Sequence, residues 1–363
     1  MKKLRIATMV TGHFTTPPPA GIVYAPMDIA VDVSEGLVKR GHQVDFYGPE
    51  GTKVNVTKVI SAGLKPLNQA GGLPVLKNTQ VGAAETDKLF HLWDQYLIAK
   101  MFEVANRGEY DLLHIHPFDR AVPLALANPQ IPVFYTLHDP IYPWRVEVAK
   151  LFASPNQHYV SISDNQRKPA PDLNYAATVY NGIKTELFPF SADHDDYLFF
   201  IGRLHPEKGV AEAVEVARRT GDKLLIVGPP VTGDYWDKKI APYLNDKIKY
   251  VGFVARDQIF KYYQRAKATL VPIQWEEPFG LVLTESMACG TPAIAFDRGS
   301  VPEVVVDGKT GFIIKNNSID DMVAAVGKIS SINRADCRTH VEKNFSVEKM
   351  VEGYEKAFYK VVG

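Results

Sequence analysis

Cysteine is scarce in this sequence, with only Cys289 and Cys337 in a chain of 363 residues. The two do not form a zinc or redox spacing, so a reducing, cytoplasmic compartment fits. Long apolar runs are also missing, because no stretch reaches the roughly 18 apolar residues of a membrane-spanning helix. The apolar stretch within the segment MKKLRIATMVTGHF is too short for a signal sequence, and the segment favours a first strand. We expect no transmembrane segment, and any membrane contact would be peripheral.

An excess of charge of either sign is missing as well. Lys and Arg total 41, Asp and Glu total 41, and the formal net charge is zero. The chain as a whole is therefore not attracted to nucleic acid, and we expect no nucleic-acid partner. One hydrophobic core rarely serves a chain of 363 residues, so two or three domains are expected.

Short apolar runs alternate with helical patterns through the first half of the chain. The strand candidates are LRIATMV, QVDFYG, DLLHIH, PVFYTL, HYVSIS and ATVYN, and the helix candidates are residues 28–40, 87–107 and 118–127. Strands that alternate with helices predict a parallel sheet with helices on both faces. The nearly continuous Val, Ile, Leu and Tyr content of the strands predicts that both faces are buried.

The same alternation starts again after the polar segment NGIKTELFPFSADHDD. The strand candidates are YLFFIG, KLLIVG, IKYVG, ATLVPI, PAIAF and TGFII, and the helix candidates are residues 209–220, 235–244, 257–266, 281–289 and 318–329. We predict two Rossmann-like domains, residues 1–187 and 188–345, and a last helix within residues 346–363. Ligands of open α/β sheets bind beyond the carboxyl ends of the strands, so two facing domains would share one cleft.

The segment FIGRLHPEKG follows the first predicted strand of the second half and leads into a helix. Gly202 permits a tight turn there, while Arg203 and Lys208 bring two cations to the start of the helix. A helix N-terminus attracts anions through its free N–H groups and its dipole. The segment is a candidate phosphate site, with a basic loop of no special function as the alternative.

The segment EEPFGLVLTESMACGTP forms a second junction of this kind. Gly280, Leu281 and Val282 would present backbone N–H groups at the start of a helix. Glu277 on the loop and Glu285 on the helix could accept hydrogen bonds from sugar hydroxyls. An isolated pair of glutamates is more often ordinary surface charge, but two anion sites and two carboxylates at one sheet edge favour a nucleoside diphosphate sugar as the ligand.

Taken together, these segments resemble the retaining GT-B glycosyltransferases of family GT4. The resemblance is carried by GRLHPEKG, by the two glutamates with seven residues between them (the EX7E pattern), by RGSVPEVVVDGKTGFII and by VYNGI. In the first half it is carried by LLHIHPFD and YTLHD. It implies the α/β GT-B fold, in which two Rossmann-like domains with parallel sheets face an interdomain cleft.

The resemblance also implies roles for individual residues. Arg203 and Lys208 would bind the donor diphosphate, which makes a metal ion or other cofactor unnecessary. Glu285 would bind the ribose and Glu277 the donor sugar, and backbone groups at Val254 would meet the nucleobase. The loop and helix start that hold sugar and phosphate would be Phe279, Gly280, Leu281 and Val282. The last helix would cross back to pack on the first domain.

His114 and His116 occupy alternate positions of a predicted strand, so their side chains would share one face. A metal site is disfavoured because no third ligand stands at a suitable spacing. The resemblance places His116 at the transferred sugar and the acceptor, with a catalytic role beside Glu277, Arg203 and Lys208. The alternative is a buried histidine bonded to backbone, above all for His114.

Three further residues are candidates for the acceptor side or the cleft wall. His138 and Asp139 end a predicted strand within YTLHDP, although an Asp before Pro is also an ordinary turn former. Gly21 lies in the loop HFTTPPPAGIVYAP after the first strand, where the family frequently carries a glycine pair.

The expected activity is retaining, metal-independent transfer of a hexose, glucose or mannose, from a UDP- or GDP-linked donor to an acceptor hydroxyl. The acceptor could be a sugar, a lipid-linked sugar or a small molecule, and the two domains would close over the donor about a hinge near residues 183–191. One alternative is a nucleotide-sugar epimerase on the same fold. The other is a non-catalytic protein that binds nucleotide sugars.

Overall fold

The computed structural model describes residues 2–19, 22, 24–67 and 83–363. The acceptor-side candidate Gly21 lies outside the described residues. The chain divides into two compact units. The first comprises Met1–Ile162, Arg167–Tyr180 and Met350–Gly363, and the second comprises Ser163–Gln166 and Asn181–Lys349.

The described part of the first unit contains a parallel sheet of seven strands. They are β1 (Arg5–Met9), β2 (Gln43–Tyr47), β3 (Lys58–Ile60), β4 (Leu112–Ile115), β5 (Val133–Leu137), β6 (Gln157–Ser161) and β7 (Tyr175–Thr178). The strand order is β3-β2-β1-β4-β5-β6-β7. The order reverses between β1 and β4, and a crevice opens at the carboxyl ends of the strands at such a point.

Helices cover this sheet, so its central strands are buried along their whole length. The helices are α1 (Ala25–Lys39), α2 (Ala83–Ala105), α3 (Phe118–Ala127), α4 (Pro143–Leu151) and the C-terminal helix (Val347–Val362). Every residue of β4 and β5 is buried. The C-terminal helix buries Tyr354 and Phe358 against the sheet, and the Phe358 ring centre lies 4.8 Å from that of Phe134.

The described part of the second unit contains a parallel sheet of six strands. They are β8 (Tyr197–Ile201), β9 (Lys223–Val227), β10 (Ile248–Gly252), β11 (Ala268–Val271), β12 (Ala293–Phe296) and β13 (Gly311–Ile314), in the order β10-β9-β8-β11-β12-β13. The helices are α5 (Val210–Thr220), α6 (Asp234–Lys239), α7 (Arg256–Arg265), α8 (Leu281–Ala288), α9 (Val301–Val304), α10 (Ile319–Lys328) and α11 (Arg334–Asn344). The order reverses between β8 and β11, which again marks the site edge.

The predicted α/β class with two parallel sheets is confirmed, but one predicted helix is wrong. Residues 235–244 do not form a continuous helix, because α6 ends at Lys239 and a single 3-10 turn, Ala241–Tyr243, follows. Pro242 explains the break, since proline lacks the N–H of a helix interior and its ring clashes with the carbonyl four residues earlier.

The sequence pattern also missed β3, α4, α9 and α11. The strand β3 has three residues and α9 has four, which is too short for a periodic signal. The helix α11, RADCRTHVEKN, has few apolar side chains to form a periodic pattern. Its first residue, Arg334, is buried and donates hydrogen bonds to the carbonyl of Ala266 and the hydroxyl of Thr291. Within the described ranges, none of the helices has the length and apolar content to cross a membrane.

Candidate active site

Two loops meet at the carboxyl edge of the second sheet, one after β8 and one after β11. The N–H of Gln274 donates to the carbonyl of Glu207 at 2.8 Å. Gly209, at a φ of +75°, lies so close to the second loop that a Cβ atom would be 1.9 Å from the carbonyl oxygen of Pro272. Only glycine permits this conformation together with this approach. The contact brings Lys208 beside the loop that carries Glu277.

The ammonium group of Lys208 is the centre of this junction. Its Nζ donates to Oε2 of Glu277 at 2.6 Å and lies 4.8 Å from the ring centre of Trp275. The side chains of Lys208 and Glu277 are 21% and 17% exposed to solvent, so a ligand can reach both. The sequence predicted that Lys208 binds a phosphate and that Glu277 binds a sugar. In the structure the two side chains are hydrogen-bonded to each other, and their roles in ligand binding stay predictions. The contact with Trp275 was not predicted.

The helix α8 begins at Leu281, as the sequence predicted. Gly280 precedes it in the left-handed conformation, at φ +78° and ψ 67°, which turns the chain into the helix. The N–H of Leu283 donates to the carbonyl of Gly280 at 2.9 Å, so the N–H groups that the first turn can offer to an anion are those of Leu281 and Val282. Phe279 is buried beneath the loop, whereas Leu281 and Val282 are half-buried at the helix start.

A third segment holds the loop that carries Glu277 in place. The N–H of Gly299 donates to Oε2 of Glu276 at 2.8 Å, and the hydroxyl of Ser300 donates to the carbonyl of Phe279 at 2.7 Å. A Cβ atom at position 299 would lie 2.2 Å from the carbonyl oxygen of Glu277. The segment RGS after β12 is thus a support of the site, a role that the sequence analysis did not assign.

Glu285 lies on the second turn of α8 and has an unpredicted partner in Tyr263 of α7. The Tyr263 hydroxyl donates to Oε2 of Glu285 at 2.9 Å. Burial raises the pKa of Glu285, and the charge of Arg256 and the hydrogen bond from Tyr263 oppose that rise. This contact leaves Oε1 to accept from a ligand hydroxyl. Tyr263 belongs to no motif and sits on the buried face of its helix, so the sequence offered no signal for it.

The remaining donor candidates lie along the same sheet edge. Arg203 directly follows the turn after β8, and its side chain is exposed. Val254 is half-buried in the loop between β10 and α7. The structure therefore brings Lys208 and Glu277 into contact, and it places Arg203 in the loop that also carries Lys208. Val254 lies in the loop after β10, which is two strands away from β8.

A cavity of about 310 Å³ opens in the first unit, in the region where β1, β4 and β5 end. Its polar lining includes His13, Asp94, His116, Arg120, Thr136, His138, Asp139 and Arg145. Three predicted residues, His116, His138 and Asp139, thus line one cavity. Aromatic and aliphatic side chains such as Phe14, Tyr24 and Phe118 complete the wall.

His116 and His138 contact each other just beyond the carboxyl ends of β4 and β5. Nδ1 of His116 lies 2.6 Å from Nε2 of His138, and the two rings are tilted by only 11°. Burial lowers the pKa of His116 well below its usual range and lowers the pKa of His138 to about 4. These shifts favour the neutral form of both rings near pH 7, in which one ring nitrogen donates a hydrogen bond to the other.

His114 is structural, which was the open alternative for this residue, but its partner differs from the expected backbone group. Its Nε2 lies 2.8 Å from the hydroxyl of Thr136, which in turn lies 2.9 Å from the hydroxyl of Tyr354. Burial lowers the pKa of His114 to about 3. In the described part of the chain, no group of three or more His, Cys, Asp or Glu side chains could hold a metal ion.

A buried carboxylate in the same cavity, that of Asp94, was not predicted from the sequence. Asp94 of α2 is 1% exposed, accepts from the N–H of Gly12 at 2.5 Å and pairs with the guanidinium of Arg120. Its Oδ1 also lies 3.7 Å from Nδ1 of His13. Asp94 sits inside a helical pattern, where a single carboxylate is usually a solvated charge, so no sequence signal marks it.

Asp139 is held by a second arginine of the cavity. Nη2 of Arg145 donates to Oδ2 of Asp139 at 2.9 Å, and the guanidinium lies 5.8 Å from the ring centre of Phe118. The cavity therefore contains two guanidinium groups, each paired with one aspartate, and a third aspartate, Asp119. Such groups can bind an anionic or hydroxylated ligand through planar, forked donors.

Comparison with known proteins finds a family match in each half of the chain. Residues 29–187 match the family described as Glycosyltransferase Family 4, and residues 185–344 match the family described as Glycosyl transferases group 1. The chain belongs to these glycosyltransferases. It is therefore a transferase of the GT4 type, as its motifs indicated.

Two curated relatives illustrate the range of the family. The N-acetyl-alpha-D-glucosaminyl L-malate synthase of Bacillus anthracis is 24% identical, over 92% of this chain and 93% of that protein. A D-inositol 3-phosphate glycosyltransferase of Mycobacteroides abscessus is 31% identical, but over only 44% of this chain and 38% of that protein.

Solved structures share the GT-B fold of this family 4 glycosyltransferase. Sucrose-phosphate synthase from Thermosynechococcus elongatus superposes with a TM-score of 0.71 at 18% identity, covering 98% of this chain and 99% of that one. Anabaena HepE in complex with UDP has a TM-score of 0.70 at 17% identity, covering 99% and 100%. At these identities the likeness shows the fold alone.

Proposed function

We propose that this glycosyltransferase moves a hexose, glucose or mannose, from a UDP- or GDP-linked donor to an acceptor hydroxyl, with retention of the anomeric configuration and without a metal ion. The observation that carries the proposal is the junction of Lys208 and Glu277, 2.6 Å apart, next to the start of α8. A cation, a carboxylate and free helix N–H groups at one sheet edge are the groups that a sugar diphosphate requires.

In this proposal the second unit binds the donor. Arg203, Lys208 and the first N–H groups of α8 stabilise the diphosphate as its negative charge grows, without reorganising during the reaction. Glu285 accepts from the ribose hydroxyls through Oε1, while Tyr263 occupies its other oxygen at 2.9 Å. Glu277 accepts from the sugar, and the backbone near Val254 meets the base.

The first unit binds the acceptor in the cavity lined by His116, His138 and Asp139. The two arginines of this cavity, Arg120 and Arg145, suit an acceptor that carries carboxylate or phosphate. The names of two relatives contain such compounds, L-malate and D-inositol 3-phosphate. These two compounds, beside simple sugars, are therefore the first acceptors to test.

Retention can arise from attack on the same face of the sugar, in which the leaving phosphate oxygen takes the proton of the acceptor hydroxyl. The new bond forms between the acceptor oxygen and the anomeric carbon as the bond from that carbon to the phosphate oxygen breaks. Glu277 pairs with Lys208 and is engaged as a binding group, which favours this route over a double displacement with an enzyme nucleophile.

The donor is tested by thermal shift with UDP, GDP, ADP and their glucose and mannose derivatives. A ligand at about 100 times its Kd adds roughly 2.7 kcal/mol of stability, so a true donor should raise the melting temperature clearly. UDP-glucose is the first choice because HepE, a protein of the same fold, was solved with it. Absence of a shift with every nucleotide would contradict the proposal.

Product analysis separates the proposed transfer from its rivals. Incubation with the donor and each acceptor, with and without EDTA, should give an α-linked product from an α-linked donor at an unchanged rate. An epimerised donor formed without acceptor would indicate an epimerase, and binding without turnover would indicate a sensor. Loss of activity in EDTA would refute metal independence alone.

A further inference from the structure

The contact between His116 and His138 constrains where protons can lie. Nδ1 of His116 and Nε2 of His138 are 2.6 Å apart, which is a hydrogen bond and leaves room for one hydrogen between the two nitrogens. Two neutral arrangements satisfy it. Either His138 donates from Nε2 to His116, or His116 donates from Nδ1 to His138.

The two arrangements leave Nε2 of His116 in different states. This atom is buried and has no hydrogen-bond partner in the described part of the chain, and His116 itself is 6% exposed and lines the cavity. If His138 donates, Nε2 of His116 must carry a hydrogen that no acceptor satisfies. If His116 donates, Nε2 carries only a lone pair. Orphaned buried N–H groups are rarer than under-satisfied acceptors, which favours the second arrangement.

We infer that His138 is a positioning residue: its Nε2 accepts the Nδ1–H of His116 and so presents the bare Nε2 of His116 to a substrate hydroxyl in the cavity. The inference rests on the proposed role of this cavity in binding a hydroxylated substrate. In that state His116 accepts a hydrogen bond and orients the hydroxyl. Burial keeps both rings uncharged, since it lowers the pKa of each histidine.

Two residues next to this pair of histidines also have partners of their own. His114, whose ring centre is 4.5 Å from that of His116, has its Nε2 engaged with Thr136 at 2.8 Å. It cannot fix the tautomer of His116 through that atom. Asp139 follows His138 directly but pairs with Arg145, at 2.9 Å. The hydrogen bond from His116 to His138 is thus the contact that sets the proton position.

The test is long-range ¹H–¹⁵N NMR of the full chain labelled with ¹⁵N-histidine, which distinguishes the two neutral tautomers and the cation. The free protein at neutral pH should show His116 protonated on Nδ1 alone. Protonation on Nε2, or on both nitrogens, would overturn the inference. These spectra need no substrate, so they test the tautomer even if no donor or acceptor is ever turned over.

Two variants give the inference a second readout. In His138→Gln the side-chain oxygen can still accept from Nδ1, so His116 should keep its tautomer. In His138→Phe no acceptor remains, and the Nε2-protonated form should become populated. The matched control is His158→Phe on β6, whose Nδ1 is bonded to Asn174 at 3.1 Å and which does not line the cavity; it should leave the His116 signals unchanged.

Turnover of UDP-glucose, with the acceptor identified by the product screen, supplies the kinetic arm. We expect His138→Phe to lower kcat by about tenfold with little change in the donor KM, the effect of losing one hydrogen bond to a buried group. Adding His138→Phe to His116→Ala should cause no further loss, because both changes remove the same function. Additive losses, or a His138→Gln variant as impaired as His138→Phe, would show that His138 acts by another route.

Discussion

Lys208 is the single side chain on which the proposed donor site depends most. It forms a charged hydrogen bond with Glu277 and lies over the ring of Trp275. Lys208→Ala should weaken UDP binding by about 10-fold to 100-fold, since hydrogen bonds to charged groups contribute roughly 1.5–3 kcal/mol, and it should nearly abolish transfer. Calorimetry with UDP and a transfer assay measure the two effects.

The matched control for this variant is Lys238→Ala in α6. Lys238 also pairs with a carboxylate at 2.6 Å, that of Asp234, but its side chain is 69% exposed and the pair lies four residues apart on a helix. Exposed pairs of this kind contribute little, so binding and turnover should not change. Unchanged turnover in Lys208→Ala would remove Lys208 from the mechanism.

The contact between Tyr263 and Glu285 should affect how nucleotide binding depends on pH. Burial raises the pKa of Glu285, whereas the charge of Arg256 and the Tyr263 hydroxyl lower it. Tyr263→Phe removes the lowering contribution of the hydroxyl, so Glu285 should bind a proton at a higher pH than in the unmodified protein. Because ribose binding needs the ionised carboxylate, the affinity for UDP should start to fall at a higher pH as the solution is acidified. Titrations from about pH 8 to about pH 5 would detect this shift, and superimposable pH profiles would rule it out.

At the scale of structural elements, the turn from β8 into α5 depends on Gly209. Gly209 and Gly221, which flank α5, have φ values of +75° and +74°. A Cβ atom at 209 would lie 1.9 Å from the carbonyl of Pro272, whereas at 221 it would meet nothing within 4 Å. Gly221→Ala should therefore cost about 1–2 kcal/mol, the penalty for a left-handed alanine.

Gly209→Ala should cost several kcal/mol, because it adds a backbone clash to the same dihedral penalty. It should also separate Lys208 from Glu277 and so reduce UDP affinity, which Gly221→Ala should not do. Urea unfolding and calorimetry compare the two variants directly. Equal losses of stability in both would show that the approach of the β8 and β11 loops is not tightly constrained.

At the scale of the whole molecule, buried histidines should make stability depend on pH. Burial lowers the pKa of His114 to about 3 and the pKa of both His13 and His138 to about 4. The unfolded chain, in which histidine titrates near 6.5, therefore binds more protons below about pH 6.5 than the folded chain does. Stability is present above that pH and is lost as the pH falls toward 4, by up to about 1.4 kcal/mol per pH unit for each histidine.

Urea unfolding at about pH 7 and about pH 5.5 measures this loss. His114→Gln should reduce the difference between the two conditions by the share of one histidine, even if the variant is less stable at both. The control is His194→Gln, since His194 is exposed. A pH difference that His114→Gln leaves unchanged would falsify the assignment of the loss to this group.

Much of the architecture follows from local patterns that neighbouring residues carry by themselves. The helix Phe118–Ala127 and the start of α8 at Leu281 lie where periodicity and glycine placed them. The break at Pro242 was missed because the amphipathic pattern continues through it. The segments β3 and α9 were missed because three or four residues contain no period.

The fold class and the family could be predicted from the amino-acid sequence, because they depend on patterns and motifs that are contiguous in the chain. The same motifs supplied the residues of the proposed donor loops. Which side chains contact each other depends on the three-dimensional fold. Lys208 contacts Glu277 across 69 positions of sequence, and Asp94 reaches Gly12 across 82. Such contacts depend on the order of the strands in the sheet and on glycines that let two loops approach each other. Neither can be recognised from the identity of the residues that form the contact.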